Sequence, residues 1–166
     1  MERSIVSINI ALRPVADEDR EFLLDVYEES RVFELSLTPW DAAQKRAFAA
    51  HQFDAQTNHY REVYPHATHD IILLDDKPAG RYYVDRGTEQ IAILDITVLT
   101  KYRNNGIGTE LVEKLKEEAR QTKRSIRIYL EHFNPSQKLF RELGFEPVPH
   151  EGIDQRFEWQ PSKDTI

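Results

Sequence analysis

The sequence predicts an α/β (α+β) protein built on one mixed sheet of about seven strands with four helices. Seven apolar or alternating segments have the character of strands, at 4–12, 71–74, 79–84, 91–99, 125–131, 146–148 and 155–159. Four segments repeat apolar residues at helical spacing, at 17–27, 38–64, 107–119 and 134–143. A helix joins the strand at 91–99 to the strand at 125–131, so these two strands must run parallel.

Composition and charge narrow the class of protein. The 166 residues are 40% hydrophobic and 31% charged, which is typical of one globular domain spanning residues 1–166. The formal charge of −7 disfavours a nucleic-acid partner, because no basic stripe is present to neutralise phosphates. The absence of cysteine excludes disulfides, thiolate metal sites and a cysteine nucleophile. No apolar run has the length of a signal core or a membrane span, so we expect a cytoplasmic protein without a membrane partner.

Local signals position the first strand and the first two helices. Arg13 and Pro14 are expected to end the first strand, because the residue before a proline is restricted. The acids at 17–19 favour a helix N-terminus, with Phe22, Leu23, Val26 and Tyr27 as its buried stripe. For the next helix we expect Thr38 as N-cap and Pro39 at the first helical position. That helix is long for a globular domain, so a kink or two segments are expected near residues 49–50.

Polar and aromatic side chains of the long helix admit two interpretations. Phe53, Gln56, Tyr60 and Tyr64 fall on neighbouring turns and would line a pocket on one interpretation. On the other, which we favour, the aromatic rings belong to the core and Gln56 caps their edge.

Histidines at the exit of this helix raise the question of a metal site. His66 and His69 are three residues apart, with no acidic ligand nearby before Asp70. We therefore predict no metal, and we expect these histidines to be solvated in a loop.

The next segments predict three consecutive antiparallel strands, and the third of them is the central strand. Asp75 and Asp76 are turn residues between the strands at 71–74 and 79–84. The strand at 91–99 is almost entirely apolar, which predicts burial on both faces. Its one carboxylate is Asp95, a candidate general base if burial raises its pKa. The alternative is that Asp95 only accepts hydrogen bonds from neighbouring backbone and never titrates.

A glycine-containing loop follows the central strand. Arg103, Gly106 and Gly108 precede an amphipathic helix, and backbone amides that converge at a helix N-terminus make an anion site. The sequence has no Gly-x-x-x-x-Gly-Lys-Ser/Thr motif, and Leu111 stands where a dinucleotide motif needs its third glycine. The competing interpretation is a turn that needs glycine for its geometry alone. On the helix itself, Lys116 is predicted to face water.

The last helix has clear boundaries. Asn134 is the expected N-cap, Pro135 the first helical residue, and Gln137 the residue three beyond the cap. Gly144 is expected to end the helix, and Phe145 to pack back against it.

Two motifs resemble those of the GNAT N-acetyltransferase superfamily. The first is Arg/Gln-x-x-Gly-x-Gly/Ala after an apolar strand. The second resembles Asn-Pro-Ala-x-x-Leu-Tyr-x-x-Leu-Gly-Phe and is carried by Asn134, Pro135, Ser136, Leu139, Phe140, Leu143, Gly144 and Phe145. The order of predicted elements is also that of the GNAT fold, and the resemblance covers essentially the whole chain.

The resemblance implies acetyl-CoA as cosubstrate and assigns residues to it. Backbone amides would hold the pyrophosphate, from Arg103, Asn104, Asn105, Gly106, Ile107, Gly108 and Thr109. Backbone near Val98 would pair with pantetheine and stabilise the oxyanion, and Asn134 would flank the slot where the fourth and fifth strands splay apart. Asn104 replaces a frequent glycine, and asparagine tolerates a left-handed conformation.

Phe140 departs from the family pattern in a way that affects chemistry. Many relatives carry at this place a tyrosine that protonates the departing thiolate, and phenylalanine has no such proton. Tyr129, Tyr102 or a water are the candidate substitutes. Glu34 and Glu131 are weaker base candidates than Asp95, because each lies at the end of an element where solvated acids are normal.

The function implied is transfer of an acetyl group from acetyl-CoA to a primary amine by direct attack, on a small molecule or an exposed amino group. The alternative is a non-catalytic CoA-binding or regulatory module of the same fold, as the phenylalanine at 140 suggests. Candidate acceptor-binding residues are Trp40, Phe53, Gln56 and Tyr60. Dimers are common in similar proteins, so the resemblance is compatible with a homodimer.

Overall fold

The computed structural model describes residues 8–132 and 134–161, in which seven strands form one mixed sheet. The strands are β1 (Ile10–Pro14), β2 (Thr68–Leu74), β3 (Lys77–Arg86), β4 (Gln90–Val98), β5 (Ser125–Leu130), β6 (Glu146–Val148) and β7 (Gln155–Trp159). Their order in the sheet is β1-β2-β3-β4-β5-β7-β6. Among these described strands only the β4–β5 pair is parallel, as the helical connection predicts, and the other neighbouring pairs are antiparallel.

Five helices accompany the sheet in the described part of the chain, one more than predicted. They are α1 (Arg20–Ser30), α2 (Val32–Ser36), α3 (Ala42–Val63), α4 (Ile107–Thr122) and α5 (Ser136–Glu142). The additional helix is α2, which has five residues and leaves Val32 and Phe33 largely exposed. A helix that short and that exposed has no apolar periodicity by which to recognise it.

The first strand differs from its prediction at both ends. Residues 4–7 of the predicted strand lie outside the described residues, and the observed strand begins at Ile10. It continues through Pro14, which lies opposite Asp70 of β2, so the predicted stop was too early. Proline is tolerated here because β1 is an edge strand of the sheet.

The long helix begins later than predicted and is uninterrupted. Asp41 is the N-cap: its carboxylate accepts from Gln44 N at 2.8 Å, and the Gln44 side chain accepts from Asp41 N at 2.9 Å. Thr38, the expected cap, instead donates its hydroxyl to Leu35 O at 2.7 Å. The prediction was wrong because both residues suit a cap, and only Asp41 has a glutamine three residues later that completes the reciprocal pair.

The hairpin that precedes the central strand agrees with its turn residues. Asp75 and Asp76 have φ angles of 50° and 67°, as a tight two-residue turn between antiparallel strands requires. Aspartate is among the few residue types with a side chain that tolerates this left-handed region.

Apolar clusters lie on both faces of the sheet. One cluster includes Leu111 and Leu115 of α4 and Phe140 of α5, and the other includes Leu24 of α1 and Phe53 of α3. Lys116 of α4 is buried rather than solvated as predicted, because its ammonium donates to Leu143 O at 2.9 Å. That bond occupies a carbonyl at the end of α5.

Strand β4 changes its surroundings half-way along. It pairs with β5 from Gln90 opposite Ser125 to Ile93 opposite Ile128, and beyond that point the two strands are no longer paired. At the same place the register with β3 shifts, which leaves Leu94 as an extra residue. The prediction of burial on both faces therefore holds for residues 91–93 and is wrong for residues 94–98, which are only half-buried. The divergence leaves a wedge, defined here as the gap between β4 after Ile93 and β5 after Ile128.

Candidate active site

A cleft of about 730 Å³ opens on the wedge, and we call it the large cleft. It lies between the end of α1 with α2, the second half of β4, the loop before α4, and the start of α5. Its lining includes Glu29, Ser30, Glu34, Ile96, Thr97, Val98, Tyr102, Arg103, Asn104, Gly106, Ile107, Gly108, Thr109, Glu131, Asn134 and Phe140. Most residues predicted to hold a cofactor are thus brought together here, and Asn105 lies between two of them.

The loop at 103–106 turns the chain into α4 through two left-handed residues. Asn104 has φ 66° and Gly106 has φ 75°, so the tolerance of asparagine for this conformation is used as expected. A Cβ at Gly106 would meet nothing within 4 Å, so glycine is favoured here by its φ and not by crowding within the chain. Gly106 is the N-cap of α4 and supplies no capping side chain. The first amides of α4 therefore lack an intrahelical partner at the cleft, where an anion would satisfy them.

Side-chain hydrogen bonds fix this loop to its surroundings. Arg103 Nε donates to Val98 O at 3.1 Å, and Asn105 Nδ2 donates to Tyr102 O at 2.9 Å. The Thr100 hydroxyl donates to Glu29 Oε1 at 2.6 Å, which joins the segment to the end of α1. The loop is thus held at both the β4 end and the α1 end before any ligand binds.

Asn134 lies just before α5 and borders the wedge. The helix begins at Ser136 with Pro135 in the N-cap position, so the predicted start was one residue too early. The Asn134 side-chain oxygen still accepts from Ser136 N at 2.8 Å, while its amide donates to Glu131 Oε2 at 3.1 Å. Gln137 does not complete a capping box, since its side chain donates to Glu131 O at 2.7 Å.

Phe140 forms part of the floor of the large cleft. Its side chain is 1% exposed and its ring meets Phe145 edge-on at 5.1 Å. Gly144 has φ 90°, and Phe145 N donates to Phe140 O at 2.9 Å, so glycine ends the helix as predicted.

A second cavity of about 270 Å³ lies next to the wedge, and we call it the small cavity. Its lining includes Tyr27, Arg31, Gln56, His59, Tyr60, Tyr64, Arg81, Leu94, Asp95, Arg127, Tyr129 and Asp154. It shares Ser30, Ile96, Thr97, Glu131 and Asn134 with the large cleft. The two cavities therefore meet at the wedge.

A buried guanidinium forms one wall of the small cavity, and sequence reasoning missed it. Arg81 is 1% exposed; its Nη1 donates to Gln56 Oε1 at 2.8 Å and to Asp95 Oδ2 at 3.1 Å. Its Nε donates to His69 Nε2 at 2.8 Å. The Phe53 ring lies 5.1 Å from the guanidinium carbon. The available signal was a single cation within the strand predicted at 79–84, which must find an acceptor once buried.

The Arg81 cluster determines the state of the groups around it. Burial, assisted by the positive charge of Arg81, lowers the pKa of His69 to about 3, so the imidazole stays neutral and accepts from Arg81. His69 lies half-buried in β2, stacked on Tyr83 at 4.1 Å, so the expectation of a solvated loop residue was wrong. Burial and the nearby charge of Asp95 raise the pKa of Tyr60 to about 12, and its hydroxyl donates to Leu94 O at 3.1 Å.

Asp95 is held by donors on both of its oxygens. Besides the Arg81 contact, Oδ1 accepts from the Thr97 hydroxyl at 2.7 Å, and the side chain is 23% exposed. The partners are side chains rather than the backbone groups of the alternative interpretation. Its role as a general base stays a prediction.

Glu131 lies where both cavities meet. Burial raises the pKa of Glu131, but the Arg31 guanidinium at 2.8 Å and the Asn134 amide lower it more, so the net pKa lies below its ordinary value. An anion held in this way is a poor acceptor for an ammonium proton near neutral pH.

Three predicted site residues do not lie at the wedge: one lines neither cavity, one is in the core, and one lines only the small cavity. Trp40 lines neither cavity and packs on Phe48 at 4.9 Å. Phe53 is 3% exposed in the core, which favours the core interpretation for this ring. Tyr129 is 44% exposed and lines only the small cavity, where its hydroxyl accepts from Arg156 at 3.2 Å.

Metal-site and membrane signals are absent from the part of the chain that the structure describes. Within residues 8–132 and 134–161, no group of three or more His, Cys, Asp or Glu side chains is arranged to hold a metal ion. No helix in the same ranges is long and apolar enough to span a bilayer.

Comparisons with known proteins agree with this architecture. Curated proteins give no match to the chain. Among solved structures, the PaiA N-acetyltransferase of Thermoplasma acidophilum in complex with coenzyme A is 15% identical with a TM-score of 0.64, over 92% of this chain and 99% of that one. An acetyltransferase from Thermus thermophilus is 18% identical with a TM-score of 0.64, over 91% and 96%. A GNAT-family acetyltransferase from Staphylococcus aureus is 13% identical with a TM-score of 0.65, over 92% and 99%.

Identities this low show a shared fold alone, and the family assignment comes from the sequence itself. The model of the acetyltransferase (GNAT) family matches residues 24–145, a range that begins in α1 and includes the wedge, the loop before α4 and all of α5. The chain therefore belongs to the GNAT acetyltransferase family.

Proposed function

We propose that the chain is one GNAT domain that transfers an acetyl group from acetyl-CoA to the nitrogen of a primary amine. The observation that carries the proposal is the meeting of two cavities at the wedge, one bordered by the N-terminus of α4 and the other by polar side chains. Such an arrangement separates a site for a nucleotide cosubstrate from a site for an acceptor and leaves one place where their reacting atoms meet.

The large cleft has the features that coenzyme A requires. Backbone amides at residues 103–109 would hold the pyrophosphate, since all of these residues except Asn105 line the cleft at the N-terminus of α4. Backbone near Val98 would pair with pantetheine as an added strand does. Asn134 would lie beside the thioester.

Each residue at the wedge would have a defined part in the reaction. Bound acetyl-CoA supplies an activated acetyl group, whose carbonyl carbon the neutral amine attacks as the bond to sulfur breaks and the thiol leaves. The backbone amide near Val98 would stabilise the developing negative charge. Asp95 is the proposed acceptor of the amine proton, and to act so it must give up a hydrogen bond from Arg81 or Thr97.

Phe140 makes a non-catalytic CoA-binding module the second candidate. The buried ring offers no proton to a departing thiolate, and Tyr129 lines only the small cavity. Tyr102 lines the large cleft and is nearer the expected path of the cosubstrate. A thiol with a pKa of about 8.5 leaves without assistance, so losing an acid costs part of the typical 10²–10⁴-fold contribution of such a group.

Calorimetry with acetyl-CoA tests the cosubstrate site. Gly106→Val is expected to weaken binding at least about 10-fold, because a β-branched side chain is strained at φ 75° and would stand where the ligand approaches. Asp76→Val is the matched control, since it puts the same residue at φ 67° in the distant hairpin turn. Wild-type protein that fails to bind acetyl-CoA at millimolar concentration would rule out both candidate functions.

Thiol release across a panel of amines separates enzyme from binding module. An acetyltransferase releases free CoA thiol with at least one acceptor, whereas a binding module binds acetyl-CoA and releases no thiol with any of them.

The role of Asp95 is tested by the pH–rate profile of Asp95→Asn. Loss of the acidic limb supports a base, and an unchanged acidic limb assigns Asp95 to structure.

A further inference from the structure

The small cavity contains a cation that none of the described carboxylates pairs with. Three arginines line it: Arg31, Arg81 and Arg127. Arg31 pairs with Glu131 at 2.8 Å and Arg81 pairs with Asp95 at 3.1 Å. Arg127 has no carboxylate within 4.0 Å among residues 8–132 and 134–161, and its hydrogen-bond partners there are neutral.

Neutral acceptors hold Arg127 in place without compensating its charge. Its Nη1 donates to Gln90 Oε1 at 2.9 Å and its Nη2 donates to Tyr64 Oη at 3.3 Å. Gln90 is fixed in turn, because its amide donates to Ser125 Oγ at 2.8 Å and to Glu158 Oε1 at 2.7 Å. A guanidinium presents five donors in a rigid fork, so further donors remain for a ligand.

Arg127 lies on the side of the sheet from which an acceptor reaches the wedge. Its partner Tyr64 contacts Tyr60 ring to ring at 6.4 Å, and Tyr60 bonds the extra residue Leu94 where β4 leaves β5. Arg127 directly precedes Ile128, the last residue of β5 that pairs with β4. Because a strand rises about 3.3 Å per residue, Arg127 lies only about 3.3 Å along β5 from the point where the wedge opens.

Acidic residues facing the same cavity do not cancel this charge. Glu131 and Asp95 are engaged by the other two arginines. Glu158 lies opposite Arg127 in β7, but it pairs with Arg156 Nε at 3.0 Å and accepts from Gln90 at 2.7 Å. Asp154 also lines the cavity but is exposed on the loop before β7, where water screens its charge. Arg127 is half-buried on a strand, which makes it the less hydrated charge.

We propose that the acceptor is a small amine that also carries a carboxylate, which Arg127 binds while the amine points into the wedge. The inference rests on the proposed acetyltransferase function and names its substrate class. A cavity of about 270 Å³ is small beside the roughly 300–1,000 Å³ of sites for drug-sized ligands, which favours an acceptor of amino-acid size. In the reaction a C–N bond forms, the C–S bond breaks, and the amine proton leaves for a base as the thiol departs.

Matched acceptors test the proposal by two readouts. Glycine, β-alanine, 4-aminobutyrate and the common α-amino acids are each compared with the corresponding carboxamide. Thiol release gives kcat/KM, and calorimetry on protein saturated with CoA gives acceptor binding without turnover. We expect at least one carboxylate to exceed its amide by about 10- to 100-fold, the range for a charge-assisted hydrogen bond. An aminophosphonate arm distinguishes carboxylate from phosphonate recognition.

Substitution at Arg127 assigns the preference to this residue. Arg127→Gln should abolish the difference between acid and amide, mainly through KM, and Arg127→Lys should retain part of it. Arg124→Gln is the matched control, because Arg124 just precedes β5 and contacts Gly87 O and Glu118 away from both cavities. Thermal unfolding of each variant checks the fold.

The outcomes separate the substrate class from the function. Turnover of amides and plain amines as fast as carboxylates overturns the proposal and leaves the acetyltransferase function intact. A carboxylate preference that survives Arg127→Gln, or a preference for the phosphonate, also overturns it. If none of the acceptors tested leads to release of the CoA thiol, the enzymatic function is rejected, and the proposal is rejected with it.

Discussion

The two halves of β4 have similar apolar sequences and very different surroundings. Residues 91–93 pair with β5 and are at most 3% exposed, whereas Ile96 and Val98 are half-buried and line the large cleft. The difference arises because β5 leaves β4 after Ile93, which removes the neighbour that covered it. Whether an apolar stretch of strand belongs to the core or lines a site therefore depends on the element that lies beside it. We expect substitutions in the two halves of β4 to have different effects.

The largest expected effect distinguishes the halves by stability. Ile91→Ala should lower the free energy of unfolding by about 2–5 kcal/mol, because it leaves a cavity at a fully buried position. Ile96→Ala should cost about 1 kcal/mol or less and change the KM for acetyl-CoA instead, since Ile96 lines both cavities. Denaturant unfolding and steady-state kinetics measure the pair. If Ile91→Ala and Ile96→Ala lowered the free energy of unfolding equally, the distinction between a core half and a site half of β4 would be contradicted.

A second substitution tests how the diverging half is held. Gly80 lies opposite Val98, and a Cβ at Gly80 would stand 2.2 Å from Thr97 O, a backbone atom that cannot rotate away. Gly80→Ala should cost about 1–3 kcal/mol and also weaken acetyl-CoA binding, because β4 must move at the cleft. Ala79→Gly is the control, because it changes the neighbouring residue of the same strand without placing a Cβ against Thr97 O. Full CoA affinity in Gly80→Ala would show that the cleft tolerates movement of β4.

The third prediction concerns pH and the cluster beside the diverging half. The folded pKa of His69 is about 3 and its ordinary value is 6.5, so the unfolded chain binds the proton first as pH falls. Stability is therefore complete above about pH 6.5 and is lost toward pH 3, by about 1–2 kcal/mol near pH 5. Chemical denaturation across this range measures the slope.

A non-titrating replacement isolates the contribution of His69. His69→Gln retains an acceptor for Arg81 and should flatten the slope between about pH 6.5 and pH 5, whereas the exposed His66→Gln should not. A slope unchanged in His69→Gln would assign the pH dependence to other groups.

The smallest effect concerns the loop that follows the diverging half. Asn104→Ala should cost about 1 kcal/mol, because alanine lacks the tolerance of asparagine for φ 66°. Asn104→Gly should be close to neutral in thermal unfolding, since glycine adopts this conformation without a Cβ penalty. If both variants match wild type, the left-handed conformation at this position is not maintained in solution.

Much of the fold was predictable because its signals are local. The Asp75–Asp76 turn, the left-handed Asn104 and the glycine stop at 144 each depend on a few neighbouring atoms, and the structure confirms them. The start of α3 was missed because two adjacent segments both suit a cap. Helix α2 was missed because five residues are too few to establish a period.

The residues of the large cleft were predictable as a group, whereas those of the small cavity were predicted only in part, through Gln56, Tyr60, Asp95 and Tyr129. The loop residues come from one continuous segment, so a motif identifies them together. The small cavity joins Gln56 of α3, Arg81 of β3, Asp95 of β4 and Arg127 of β5, which lie far apart in sequence. Trp40 also could not be placed from the sequence: its residue type suits a pocket, but in the fold it packs on Phe48 and lines neither cavity.

The sequence by itself determined the seven strands, four of the five described helices, the parallel pair and the glycine-containing loop, because hydrophobic period and glycine conformations act within a few residues. Only the tertiary structure decided which apolar residues of β4 are core, and which arginine of the small cavity has no carboxylate within 4.0 Å among the described residues. Those outcomes depend on how far β5 follows β4 and on which carboxylates the folded chain brings within 4.0 Å, and both are long-range properties of the packed sheet.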